Sequence, residues 1–222
     1  MSISNLSAVS LPETTAFQNL SAYTVYNNLS GNYVELQSTF DIPTLSAFVI
    51  KHDVYLPSLL IQHNDINYRV ANGKWIFKSE NDAVAEAFKD LVASITGYPK
   101  ECQEAPHFVR YTEGGKYDPH WDYFSTNSPS YSANIARGGN RVFSVLMYLN
   151  EGFNGGQTTF PRINYTVTPT TGKIIAWKNM TGDTNSKVIN PESFHAGNPV
   201  LSGGTVDTKY ILISWVREHP FN

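Results

Sequence analysis

Cysteine is almost missing from this chain. The single one, Cys102, excludes an intrachain disulfide, and such a composition is typical of a reducing compartment. Charge is scarce as well: charged residues make up 16% of the 222, the net charge is -3, and Lys and Arg are scattered. That pattern lacks the basic footprint of a nucleic-acid-binding protein and offers no polybasic face to an acidic membrane. No apolar run approaches the ~20 residues that span a bilayer as a helix. The opening stretch MSISNLSAVSLPETT has neither a basic segment nor a continuous apolar one, so no signal peptide is read. The Asn-x-Ser sequons at Asn5, Asn19 and Asn28 are then chance occurrences.

What is abundant points to strands and turns. The chain holds 13 Tyr, 12 Phe and 4 Trp together with 15 Gly and 12 Pro, a balance that favours a β-rich domain with many turns. Its length suits one domain with a full core. Residues 1 to about 35 are polar and read as a loose arm or an edge strand. Residues 36–78 read as short strands broken by Pro43, Pro57 and the turn at Asn72-Gly73. The clearest helix is 82–96, where Val84, Phe88, Leu91 and Ile95 share one face. Ser79 or Asn81 is its expected cap, Gly97 and Pro99 end it, and it should cover one face of a sheet. From Pro106 onward strands dominate: PHFVRY (106–111), RVFSVLMYLN (141–150), QTTF (157–160), KIIAW (173–177) and KYILISWVRE (209–218), separated by glycine-rich turns. Strands without intervening helices predict an antiparallel sandwich or barrel. The polar stretch Ser125–Asn140 is long for a connection and reads as a lid or binding loop.

One constellation carries chemistry. In His120-Trp121-Asp122 the first and third side chains share a face if the segment is extended, while Trp121 points away. Far downstream His195 supplies a third ligand just before another strand. Two histidines and one carboxylate leave three positions of an octahedral metal open, which suits an iron(II) that must take both a cosubstrate and O2. His63-Asn64-Asp65 repeats the spacing and His52-Asp53 approximates it, but no glycine-tyrosine turn precedes either, so both are ranked as decoys. Taken alone, His120 reads equally as a hydrogen-bonded strand histidine. Lys209 opens the strand after HAGNPV, where it can reach inward and pair with a carboxylate. The alternative is a surface lysine at a strand start.

Three segments, VRYTEGGKYDPHWDYF (109–124), RVFSVLMYLNEGFNGGQTTFP (141–161) and HAGNPVLSGG (195–204) with TKYILISWVR (208–217), together resemble the prolyl 4-hydroxylase family of 2-oxoglutarate- and iron(II)-dependent dioxygenases. The resemblance covers roughly residues 82–218. It implies a mainly β fold with flanking helices, the double-stranded β-helix or distorted jelly roll. It implies a single catalytic domain over 1–222, with a variable part at 1–80 and the oxygenase core at 82–218. His120, Asp122 and His195 would be the iron ligands. Lys209 would hold the distal carboxylate of 2-oxoglutarate, with Tyr111 and Thr158 hydrogen-bonded to it and Tyr148 as a further helper. Tyr117, Arg141 and Trp215 would line the substrate side. Tyr148 and Trp215 also read as core, and Arg141 as a solvated loop-end charge. The family places its basic residue closer to the second histidine than Lys209 lies here, so residues 204–208 read as a loop insertion. Arg217 is the substitute if that reading fails.

The implied reaction is hydroxylation of peptidyl proline, coupled to decarboxylation of 2-oxoglutarate to succinate and CO2. It would use Fe(II), O2 and ascorbate. The implied partner is a proline-containing peptide or protein, with no nucleic acid and no membrane, and a monomer is favoured. A bare catalytic domain suits a microbial or viral type placed in the cytoplasm or the host-cell cytoplasm. The alternatives are the same chemistry on a non-prolyl or free amino acid, a non-catalytic jelly-roll binding module, and a zinc hydrolase on the same ligands.

Overall fold

Two antiparallel sheets face each other across a shared interior. The computed structural model describes residues 24–29, 32–53, 68–182 and 187–221. The larger sheet has seven strands in the spatial order Thr24–Leu29, Tyr33–Gln37, Lys173–Lys178, Arg141–Tyr148, Lys209–Arg217, His107–Tyr111 and Asn72–Trp75. The smaller has five, in the order Tyr165–Val167, Thr158–Phe160, His195–Gly197, Lys116–His120 and Arg69–Val70. Every pairing is antiparallel, and the arrangement is the jelly roll expected from the sequence. Asn28 and its neighbours form the edge strand; Pro57, the sequons at Asn5 and Asn19, and the decoy His63-Asn64-Asp65 lie outside the described residues.

Alternation along the strands sorts residues into two layers. Phe143, Val145 and Met147 point to one side with Ile174, Ala176, Leu212 and Val216, and two helices cover that side. Leu146, Tyr148, Ile175, Trp177, Ile211, Ile213 and Trp215 point between the sheets. By the same parity Tyr111, Ser144 and Lys209 face the interior, and this is what positions the site. The insertion does not disturb it: Thr205 N–H donates to the Gly152 carbonyl at 2.8 Å, and Lys209 stands in register opposite Tyr111.

The helix Ala83–Thr96 buries Phe88, Leu91, Val92 and Ile95 against the large sheet and ends at Gly97, whose φ of 73° is left-handed. Its cap is Asp82, not Ser79 or Asn81. The Asp82 carboxylate accepts from the Val84 and Ala85 amides at 3.0 Å each. Residues 42–53 correct the strand reading of this region: Ile42–Asp53 is a helix. Asp41 caps it by accepting from Thr44 N–H at 2.7 Å, and Pro43 falls in the first turn, where no amide donor is needed. Leu45, Phe48 and His52 form its buried face.

Asp82 clamps the two helices. Its second oxygen lies 2.5 Å from Lys51 Nζ and 2.9 Å from the buried His52 Nε2. Asp82→Ala therefore removes a cap and strands His52, and should cost about 2 kcal/mol. The check is a lower urea midpoint at unchanged slope. An unmoved midpoint would show that the clamp contributes nothing.

Candidate metal centre

His120 ends the strand Lys116–His120, and His195 begins the strand His195–Gly197 directly opposite it. Asp122 stands just past the strand end rather than on it, and still turns to the same point. The ligand atoms of His120, Asp122 and His195 lie within 4.8 Å of one another, and all three residues are buried. No other such group occurs among the described residues. His52, one of the decoys, is spent on Asp82. Trp121 faces away as expected, toward Phe194 and the Pro191 carbonyl.

The donor set fits a divalent metal. His120 Nδ1 is 2.7 Å from the Asp118 carbonyl and His195 Nδ1 is 2.8 Å from that of Ser193. A carbonyl only accepts, so in both rings Nδ1 carries the hydrogen and Nε2 is left as the donor to a metal. Those two Nε2 atoms sit 3.5 and 3.7 Å from the Asp122 carboxylate, spacings of groups around a common point rather than of direct hydrogen bonds. Burial, with His120 beside it, pushes His195 down to about 4, so it is neutral and ready to ligate at pH 7. Burial opposes ionisation of Asp122, but the two imidazoles and Arg141 outweigh it and hold the carboxyl well below its usual range.

Two residues that the sequence reading missed orient the carboxylate. Ser144 Oγ donates to Asp122 at 2.6 Å and accepts from Asn179 Nδ2 at 2.9 Å. Ser144 was visible as the lone serine in the buried run RVFSVLMY. Asn179 carried no local signal.

Behind the triad lies a small inner cavity of about 30 Å³. Lys209, Tyr111 and Thr158 line it, together with Tyr117, Trp215 and Arg69. Lys209 is 2% exposed and donates to the Gly156 carbonyl at 2.7 Å. It lies 5.0 Å over the Tyr111 ring and 5.5 Å from that of Tyr148. It has no carboxylate partner among the described residues, and burial pushes its pKa down to about 7. Tyr148 O–H donates to Thr158 Oγ1 at 2.6 Å, which leaves the threonine's own hydrogen free for another acceptor.

In front lies an open cleft of about 1030 Å³ whose walls include Tyr68, Trp75, Phe77, Tyr123 and Phe124. Tyr117, His120 and Asp122 border both spaces. The structure divides the three residues expected on the substrate side. Tyr117 stands at the boundary, its ring stacked 3.5 Å from that of His120. Arg141 lines the cleft and is not a solvated charge: it grips Glu104 through two 2.7 Å bonds and lies 4.0 Å over Trp215. Trp215 lines the inner cavity instead of the cleft. Arg217 cannot substitute for Lys209, because it is buried on Glu104 at 3.0 Å and bonded to the carbonyls of Asn134 and Gly139. Residues 125–140 form one wall of the cleft and include the helix Tyr131–Ala136. Their neck is closed by Asn140, whose side chain bonds Phe124 N–H at 2.7 Å and its carbonyl at 3.0 Å.

Comparison with known proteins agrees with this geometry. Residues 106–217 match the model of the 2OG-Fe(II) oxygenase superfamily. A putative prolyl 4-hydroxylase of Acanthamoeba polyphaga mimivirus is 34% identical over 165 residues, covering 74% of this chain and 65% of that protein. The prolyl 4-hydroxylase subunit alpha-1 of Caenorhabditis elegans is 31% identical over 153 residues, covering 68% of this chain but only 25% of its own. The chain thus spans less than two thirds of either relative. In fold it is similar to the crystal structure of the viral collagen prolyl hydroxylase from Paramecium bursaria Chlorella virus-1 in its 2OG complex. That likeness has a TM-score of 0.63 at 21% identity and covers 84% of this chain and 96% of that one. On the matched segment and the buried triad within it, the chain belongs to the 2OG-Fe(II) oxygenase superfamily.

Proposed function

We propose that this chain is an iron(II)- and 2-oxoglutarate-dependent dioxygenase that hydroxylates peptidyl proline, with succinate and CO2 as co-products. One observation carries the reading. His120 and Asp122 stand between a small inner cavity, whose buried Lys209 has no acidic partner among the described residues, and a larger aromatic cleft. The buried cation of the cavity suits a carboxylate group and the aromatic cleft a peptide. Iron(II) and 2-oxoglutarate, when bound, supply oxidative chemistry in which one atom of O2 enters succinate and the other a C–H bond.

The chain's own residues bind and orient. His120, Asp122 and His195 hold the iron, and Ser144 fixes the carboxylate's direction. Lys209 neutralises the distal carboxylate of 2-oxoglutarate, with hydrogen bonds from Tyr111 and from the hydroxyl that Tyr148 leaves free on Thr158. Tyr117 and Arg141 face the peptide, and Trp215 supports Arg141 from below. Extended proline-rich segments suit the aromatic walls, because a polyproline helix loses little entropy on docking. The 125–140 segment acts as the lid and excludes water when the peptide is seated. We further propose ascorbate as the reductant that keeps the iron ferrous, a monomeric catalytic domain over 1–222, and action in the cytoplasm or host-cell cytoplasm. No helix among the described residues is long and apolar enough to cross a membrane.

The test is succinate formation from 2-oxoglutarate with iron(II), ascorbate and O2, with and without a polyproline peptide. The expected result is succinate that rises with peptide, and a peptide heavier by one oxygen. Succinate without stimulation would move the substrate to a non-prolyl or free amino acid. None from iron-loaded protein would leave a binding module.

A further inference from the structure

We infer that Arg69 is a second anion anchor of the inner cavity, set to hold the carboxylate of 2-oxoglutarate nearer the metal. The inference rests on the cosubstrate reading above and adds a residue from outside the matched segment 106–217. Arg69 opens the strand Arg69–Val70, opposite Tyr117. It is 3% exposed, lines the inner cavity with Lys209, and is not part of the cleft wall. Its guanidinium lies 4.7 Å over the Tyr117 ring. Among the described residues it has no carboxylate partner, and its Nε is buried without a hydrogen-bond partner.

A buried, unpaired guanidinium is costly, so its presence implies an anion that completes it. The cavity's charges say the same. Among the described residues Asp122 is the one acid lining it, against two cations, Arg69 and Lys209. A divalent ion raises the positive excess further, and a dianion is the small ligand that offsets it. The two cations are placed for its two ends. Lys209 lies over the Tyr111 ring, while Arg69 stacks on Tyr117, which stacks in turn on His120. Arg69 is therefore on the metal side. The planar fork of a guanidinium suits a carboxylate there better than an ammonium would.

The experiment is calorimetric titration of anaerobic, iron(II)-loaded protein with 2-oxoglutarate and with 2-oxovalerate, which keeps the metal-side group and lacks the distal carboxylate. Arg69→Gln should raise Kd for both ligands by about 10- to 100-fold. Arg69→Lys should recover part of that loss, and Lys209→Met should weaken 2-oxoglutarate alone. Arg69→Met keeps the stem's packing and serves if the glutamine variant does not fold. The assignment fails if either neutral variant binds 2-oxoglutarate like wild type, or if the loss is absent with 2-oxovalerate. It also fails if the lysine variant loses as much as the glutamine one, since the role is then packing. Wild-type protein that holds iron but binds no 2-oxoglutarate would overturn the proposed function itself.

Discussion

Protein carrying His195→Ala should show no turnover and bind iron at least about 100-fold more weakly, with its fold kept. His195 supplies one of three convergent ligand atoms, and its Nδ1 is already spent on the Ser193 carbonyl. Nothing else among the described residues lies in a metal-binding group that could replace it. The fold survives because the side chain sits at the start of a three-residue strand, between Phe160 and Trp177. A void there costs about 2–3 kcal/mol, less than the stability of an ordinary domain. Ser144→Ala provides the graded control. It keeps all three ligands and frees the Asp122 carboxylate to turn, so iron affinity should fall only about 10- to 100-fold. Iron retained per protein over a series of free iron(II) concentrations, read beside succinate, gives both numbers. Wild-type retention and turnover in the alanine variant at 195 would remove that residue from the ligand set.

Lys209→Met should act in opposite directions on stability and on cosubstrate binding. Burial holds the Lys209 pKa near 7, against an ordinary value of 10.5. A lysine whose folded pKa is depressed destabilises the fold below its unfolded pKa. The penalty grows as pH falls from 10.5 toward 7 and is constant below that. At neutral pH it is about 4 kcal/mol. The methionine variant without ligand should therefore melt higher than wild type at pH 7, and the gap should close as pH rises toward 10. Its affinity for 2-oxoglutarate should drop about 100-fold or more, because a charged partner is lost from a buried site. The same pKa makes wild-type binding proton-linked. Above pH 7 the free amine is neutral, so binding the dianion takes up a proton. Calorimetry at pH 8 in buffers of different ionisation enthalpy measures that uptake. A methionine variant no more stable than wild type, or binding without proton uptake, would mean that Lys209 is already paired.

Much of this molecule is legible in its residues, and the rest fails for a physical reason. The strands after Pro106 and the helix at 83–96 each carry a local signal of period or turn chemistry. The triad is legible because His120 and Asp122 are close in sequence and His195 precedes a strand. Lys209 is legible because its parity matches that of Ile211, Ile213 and Trp215. The helix Ile42–Asp53 was hidden: Pro43 reads as a breaker unless Asp41 is seen as a cap, and Ile42 and Ile50 are exposed, which blurs the amphipathic pattern. Glu104, Arg141 and Arg217 form one buried charge cluster from three distant segments, and no local pattern announces such a partnership. Arg69 was missed for the same reason. Its meaning depends on Tyr117 and Lys209, far along the chain.

The direct opposition of His120 and His195 bears on how the chain reaches this structure. The strand carrying His195 has only three residues, and its ladder with the strand carrying His120 is irregular between His195 and Gly197. So short a ladder contributes few backbone bonds of its own, and burial of His195 between Phe160 and Trp177 helps fix its alignment. Sliding it by one residue would send an imidazole to the opposite face. An ion that needs both rings binds one alignment and none of its neighbours, and its binding energy is added to that alignment alone. An ion held by both rings would therefore add stability to this strand pairing, a role separate from any in turnover.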